Sequence, residues 1–365
     1  AATSLSSSRR FKDLSSTVAI IPLILLGPII AGITAGFQGS PDFVTDLSAV
    51  LGWTPLGAFW AVPADVAEGR LLAALARFAI GAATLAGLAW LWKMSLASAL
   101  VTPAHNSVSR RGAGNLGLFA RFPATPTGAI AARALTYWLR DPRYAASIVI
   151  VPLMPLLMWF WGSQSENLTI LNYVGPVAAF LLAWSISADI SYDNTAFWTH
   201  VSTGVSGRAD RAGRALALGV FSLPVVLLFT VLPLWLNNSL SDVPMMLGLS
   251  LGILLTGTGL SSVVSARYTY NVPLPGESAF KTPPGSAFSM FAVQFIGWIV
   301  LVVLVLPEIG LAVAYPVTGN AALGWGTLAA GLLLGTAALV FGIRLGGQWY
   351  DRRAPELLQA VTVNK

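Results

Sequence analysis

Cysteine is missing from all 365 residues. Its absence excludes disulfides, thiolate metal sites and a cysteine nucleophile, and it says nothing of compartment. Charge is scarce as well. Only 10% of residues are charged, against about 25% in an ordinary soluble domain. Histidine occurs only at positions 105 and 200. Neither His105 nor His200 has metal-ligand spacing to a second histidine or a carboxylate, so no metal is expected. There is no G-x-S-x-G nucleophile turn. No G-x-x-x-x-G-K-[ST] phosphate loop occurs either, so the chain is not expected to hydrolyse ATP alone. No catalytic residue, cofactor or enzyme activity is expected of it.

What remains is apolar. Hydrophobic residues make up 55% of the chain, in runs near the roughly 20 residues that cross a bilayer. The expected fold class is an all-α polytopic membrane protein. The net charge of +6 is better explained by basic cytoplasmic loops than by nucleic-acid binding. Eight spans are expected: Ser16–Phe37, Leu71–Leu91, Ala145–Gly162, Ile170–Ala188, Ala215–Leu236, Val243–Val264, Ala287–Leu306 and Ala322–Ile343. Arg9, Arg10 and Lys12 precede the first, which is expected to be a retained span rather than a cleaved signal peptide.

Loop charge sets the orientation. With both termini in the cytoplasm, Lys93, Arg110, Arg111, Arg121, Arg133, Arg140 and Arg143 lie inside after the second span. Arg208, Arg211 and Arg214 follow the fourth, Arg267 and Lys281 the sixth, and Arg344, Arg352, Arg353 and Lys365 the eighth. The outer loops SQSENLT, NNSLSD and PEIGLAVAYPVTGN carry no Lys or Arg. Arg70 alone falls outside, and Arg77, in the first turns of the second span, is expected to snorkel. The outer segment Gln38–Gly69 is too broken by Gly and Pro to span. Trp53, Phe59 and Trp60 suit it to the interface, as a short interfacial helix or a re-entrant piece.

These boundaries divide the chain into a two-span unit (1–101), a Pro/Gly/Ser-rich linker (102–127), a surface helix with six spans (128–346) and a cytoplasmic tail (347–365). The surface helix is amphipathic: Ile130, Ala134, Leu135, Trp138 and Leu139 share a face, and Arg133 and Arg140 lie toward the other. Asp141-Pro142 ends it. No buried carboxylate is expected, since Asp189 and Glu308 fall just past span ends, and this weighs against ion-coupled transport. Small residues recur in GLSLGILLTGTGLSS and GWGTLAAGLLLG, giving faces for close packing within the chain or a dimer seam. In SYDNTAFWTHVSTGVSGRADRAGR, Asp193 is expected to cap a short helix from Asn194. Phe197, Trp198 and Val201 then share a face, Gly204 stops the helix, and Asp210 and Arg214 form an i, i+4 pair. The segment is either a solvated loop or a docking knob for a cytoplasmic partner.

The runs TYWLRDPRY, SYDNTAFWTHVSTGVSGRADRAGRALA and GWTPLGAFWAVPADVAEGR resemble the integral-membrane permeases of type-2 ABC exporters, nearest to the long permeases of high-GC Gram-positive bacteria. The resemblance extends from about Ser8 onward and rests on loop signatures rather than on a catalytic constellation. It implies that Gly128–Asp141, with Arg133, Trp138, Arg140 and Asp141, is an elbow helix before a six-span unit. Asp193 to Arg214 would be the coupling segment that seats in an ATPase subunit. Tyr192, Asp193, His200, Gly207, Arg208, Asp210 and Arg214 stand where the family's loop motif stands. With Phe197, Trp198 and Arg211 they make up the candidate coupling loop. The implied partners are two ABC ATPase subunits, which bind the ATP and Mg, a second permease copy or paralogue, and membrane lipids. The implied location is the bacterial cytoplasmic membrane, and the implied cargo is an amphipathic drug-like, antibiotic or lipid-like molecule. Longer members carry extra spans upstream, so either an upstream portion is missing or this is a shorter relative. A non-transporting scaffold subunit and an ion-coupled carrier are the alternatives.

Overall fold

The computed structural model describes residues 43–55, 57–101, 117–165, 167–270, 272 and 287–362. The expected first span, His105 and most of the linker lie outside these residues. Helices account for the regular structure among the described residues, with no strand. The chain forms two units, 1–110 and 111–365.

In the first unit the helices are α1 (Phe43–Leu51), α2 (Ala58–Ala67) and α3 (Leu71–Val101). Within Gln38–Gly69 the described residues form the two short helices α1 and α2 rather than a single one. Arg77 does not snorkel. It is buried, with Nη1 2.7 Å from Asp65 Oδ2 and its guanidinium 4.8 Å from the Trp53 ring. Asp65, fully buried, also accepts from Arg70 at 2.9 Å. Asp65 in α2 gives the arginine an inward partner, so its buried charge is paired rather than left alone.

The second unit holds α4 (Pro126–Arg140), α5 (Pro142–Gln164), α6 (Val174–Trp184), α7 (Asp189–Asp193), α8 (Trp198–Ser202), α9 (Gly207–Leu236), α10 (Val243–Arg267), α11 (Ala287–Leu304), α12 (Leu306–Thr318) and α13 (Ala321–Thr362). Four helices among the described residues are long and apolar enough to cross a membrane. Two of them lie within Leu71–Met94 and Leu240–Arg267; α9 and α13 are the others. The number rises to six if each of two bent pairs is one span. One pair joins Leu168–Trp184 to Asp189–Ser202 at 55°, and the other joins Met290–Leu304 to Leu306–Thr318 at 58°.

Three expectations change here. PEIGLAVAYPVTGN is largely helix α12 and not a loop, because Pro307 at its first turn starts a helix rather than stopping one. The fifth expected span begins eight residues early, at Gly207, drawing Asp210, Arg211 and Arg214 into α9. The tail from residue 347 continues α13 as helix to Thr362 across a kink at Arg353. There Tyr350, Leu357 and Val361 pack with Ile190, Phe197 and Ala266.

The glycine faces of α10 and α13 meet each other within the chain. A Cβ on Gly342 would stand 2.2 Å from the Gly259 carbonyl oxygen, and one on Gly346 2.5 Å from that of Ser262. Apolar helices gain little by burial against one another in lipid, so this close backbone approach is what holds them. The contacts advance together, Gly248 with Gly331 and Gly259 with Gly342, so α10 and α13 run parallel. Tyr315, near the end of α12, bonds Asp242 just before α10 at 3.1 Å, so among the described residues α12 ends beside the start of α10.

The helix α4 forms as expected. Thr125 caps it, its hydroxyl accepting from Gly128 N at 3.1 Å. Thr125→Ala should lower the thermal stability of the unit by about 1 kcal/mol, the usual worth of such a cap, as read by unfolding in detergent. Helix α4 packs along α9: a Cβ on Gly213 would lie 2.8 Å from Ile130 Cβ. Ile130, Ala131, Ala132 and Trp138 are buried while Leu139 is 66% exposed, so the inward face is rotated from the one expected. The helix ends at Asp141, whose backbone is extended before Pro142.

Candidate functional site

The segment after α6 folds in a sequence of tight steps. Helix α7 ends at Asp193. Asn194 then takes a positive φ of 46° with ψ −134°, outside the left-handed helical well. A 3-10 turn, Asn194–Phe197, leads into α8. Gly204, at φ 64°, closes α8 as its sequence implies. Ser206 is the N-cap of α9, accepting from Ala209 N at 3.3 Å. Asp351 from α13 reaches the same end and accepts from Gly207 N at 2.6 Å.

Most of the candidate coupling residues face inward. Asp193, Phe197, His200, Asp210, Arg211 and Arg214 are buried, whereas Trp198 is 57% exposed and Arg208 is exposed. Asp193 does not cap the 3-10 turn with its side chain; its carboxylate goes to Arg214 instead. Phe197 and Val201 pack into one cluster, but Trp198 points away, since neighbouring residues in a helix do not share a face. Phe197 lies in the core 5.5 Å from Tyr350. His200 is no loose loop residue: its Nδ1 lies 2.8 Å from Asp210 Oδ1.

Arg214 is the centre of this cluster. Its Nη2 bonds Asp193, its Nε donates to Asp210 Oδ2 at 3.2 Å, and its Nη1 lies 3.7 Å from Asp189 Oδ2. Arg211 bonds the adjacent Asp210. Arg133, expected on the outward face of α4, turns in. It donates to Thr199 Oγ1 at 2.9 Å and to the Tyr137 hydroxyl at 2.8 Å, with Nη2 3.6 Å from Asp193 Oδ1. Tyr144 donates to Asp189 Oδ1 at 2.9 Å. Three arginines therefore meet three aspartates from three helices, α4, α7 and α9, a balance that keeps buried charge tolerable. The guanidinium fork suits the role, since one planar group reaches several carboxylates.

Aromatic rings cover the cluster. Tyr192 sits edge-on to Tyr144 at 5.4 Å, and Trp138 stacks on Phe221 at 5.5 Å and tilts against Tyr144 at 5.3 Å. Next to them Tyr270 N donates to Ser191 Oγ at 3.3 Å. Burial, with Tyr192 nearby as a second cause, pushes the Tyr270 hydroxyl well above the ordinary phenol range. It stays neutral and accepts from Gln294 Nε2 at 3.2 Å. Of the elbow residues, Trp138 and Arg133 thus join the cluster, Arg140 is the last residue of α4, and Asp141 is its C-cap.

Above the cluster along α9 lies a cavity of about 410 Å³. It is lined by Leu216, Gly219 and Leu223 of α9, Leu255 and Thr258 of α10 and Ile343 of α13. Its size is that of a small-molecule site, and its wall is apolar with a few hydroxyls. The Ser222 hydroxyl, buried at its edge, has no partner. The sequence carries no signal for this cavity, since it forms only where three helices converge.

Sequence reading missed the burial of the acids. Asp65, Asp189, Asp193, Asp210 and Glu308 are all buried, where none was expected. The available signal was the phase of α9: Asp210 and Arg214 one turn apart on a face that continues into buried Ala217 and Leu218. Among the described residues, no group of three or more His, Asp or Glu is arranged to hold a metal ion. Comparison with known proteins finds no family model, no curated protein and no solved structure that matches this chain.

Proposed function

We propose that the chain is the membrane subunit of an ATP-driven exporter in a bacterial cytoplasmic membrane. It would pair with a second copy or paralogue and with two ATPase subunits that bind the ATP and Mg. In this reading eight helices span, both termini are cytoplasmic, and the cargo is amphipathic. One observation supports it beyond the sequence resemblance. The α7–α8 knob is wired through Arg214 to the first turns of α9, a 30-residue helix that also lines the cavity. A push on the exposed rim around Trp198 and Arg208 would be transmitted to the cavity wall without passing through a flexible joint. The amphipathic cargo follows from that wall, apolar but for Ser222 and Thr258.

The test separates the rim from the buried cluster. Trp198→Ala with Arg208→Glu alters only exposed residues, so folding stability should stay within about 0.5 kcal/mol. Binding of the ATPase subunit that co-purifies with the chain should weaken tenfold or more, since Trp and Arg are the residues that dominate interfaces. Unchanged binding would sink the docking role.

A further inference from the structure

We infer that Glu308 is a proton-binding site inside the helix bundle, loaded in the arrangement seen here and emptied when α12 moves. Glu308 stands in the first turn of α12, is fully buried, and neither carboxyl oxygen has a partner. It lies over the glycine contact between α10 and α13: a Cβ on Gly252 would be 3.3 Å from Glu308 Oε1 and 3.1 Å from Gly331 Cα. The helices around it offer no counter-charge. Helix α10 has one charged residue, Arg267, at its last position. Helix α11 has none. In α13 the first titratable residue is Arg344, more than three turns beyond Gly331. On α12 itself the other titratable group is Tyr315, whose hydroxyl bonds Asp242, in the turn before α10, at 3.1 Å. A bare carboxylate in such surroundings is among the costliest groups to bury, and the group takes up a companion instead.

The companion is a proton rather than a larger cation on the page's geometry. A metal cation needs several oxygen ligands, and both Glu308 oxygens lack any polar neighbour within bonding distance. A proton needs one oxygen. Release needs water to reach the site, and the fold has a joint for that: the break at Val305, where the chain bends by 58° just before Pro307. Val305 is bonded on both sides, its N–H to Leu301 O at 3.1 Å and its carbonyl to Ile309 N at 3.0 Å, and Pro307, which has no N–H to donate across the joint, leaves the bend to pivot about that residue. This inference does not rest on ATPase docking, and its readout does not involve the ATPase.

Infrared difference spectra of the full chain in lipid, recorded while pH is raised, test it. The wild type should show a protonated-carboxyl C=O band that bleaches with pH, and Glu308→Gln should lose that band completely while keeping the helical amide signal. If Glu308→Gln does not fold, Glu308→Asp serves: it keeps the acid, moves it toward α12, and should displace the band in frequency. A band that is the same in wild type and variant, or absent from the wild type, overturns the site. A Glu308-dependent band that never bleaches overturns reversible loading. Bleaching by sodium in place of choline at fixed pH overturns the proton as ligand.

Discussion

Arg214→Leu should cost the second unit about 3–5 kcal/mol, the penalty for leaving buried charges without their partner. The substitution removes the one cation shared by buried Asp193, Asp210 and Asp189, leaving Asp210 to Arg211, Asp193 to Arg133 at 3.6 Å and Asp189 with no arginine. An exposed i, i+4 pair would lose only a few tenths of a kcal/mol, so the measurement decides between a buried centre and a solvated loop. Denaturant unfolding in detergent reads it, with Arg208→Ala, at an exposed position, as the unaffected control. Adding Asp193→Asn to Arg214→Leu should recover part of the loss, because residues in one network couple. A change below 1 kcal/mol for Arg214→Leu would dismiss the cluster as a structural centre.

Gly342→Leu should be comparably damaging for a different reason. Even the first atom of the new side chain would lie 2.4 Å from the Gly259 carbonyl carbon, backbone that cannot rotate away. Helices α10 and α13 would have to part by an ångström or more, and the Gly346–Ser262 contact one turn on would part with them. Overpacking of this kind costs about 3 kcal/mol or more at its upper end. Gly310→Ala is the control: a Cβ there meets nothing within 4 Å, so the helix gains up to about 1 kcal/mol from the better helix former. Thermal aggregation temperatures in detergent separate the two. Equal behaviour of both variants would refute direct backbone packing.

Local signals were legible where a single residue carries the constraint. Proline restricts the residue before it, so Asp141-Pro142 marks a true helix boundary. Gly204 takes the positive φ that its type permits. The glycine repeats of GLSLGILLTGTGLSS and GWGTLAAGLLLG foretold close packing, and the structure supplies the partner, each other. Long-range pairing was not legible. Nothing near Asp193 in sequence announces Arg214, and Arg133 meets Thr199 across 66 positions. Charge patterning placed Arg133 on the wet side of an amphipathic helix, since patterning cannot anticipate a buried acid brought over by another helix. Helix α12 was hidden for a related reason: PEIGLAVAYPVTGN has the prolines and glycines of a loop, yet Pro307 stands in the first turn, where a helix accepts it, and the helix runs through Pro316 to end at Thr318.

The parallel glycine contact between α10 and α13 fixes which parts of the unit can move. Two helices touching backbone to backbone over four successive steps can neither slide nor turn about each other, so they behave as a stator. Helix α9 touches that pair directly at Gly207, where a Cβ would stand 2.3 Å from the Gly347 carbonyl oxygen, and borders the cavity further along, while its N-terminal charges are held by α7 rather than by α10. Helix α12 meets it through Ile309, Ala312 and Tyr315, packed with Met245 and Leu249, as well as through the unpaired Glu308. In the proposed exporter, any movement of α9 or α12 would be movement relative to the α10–α13 pair, whose backbones meet at successive glycines.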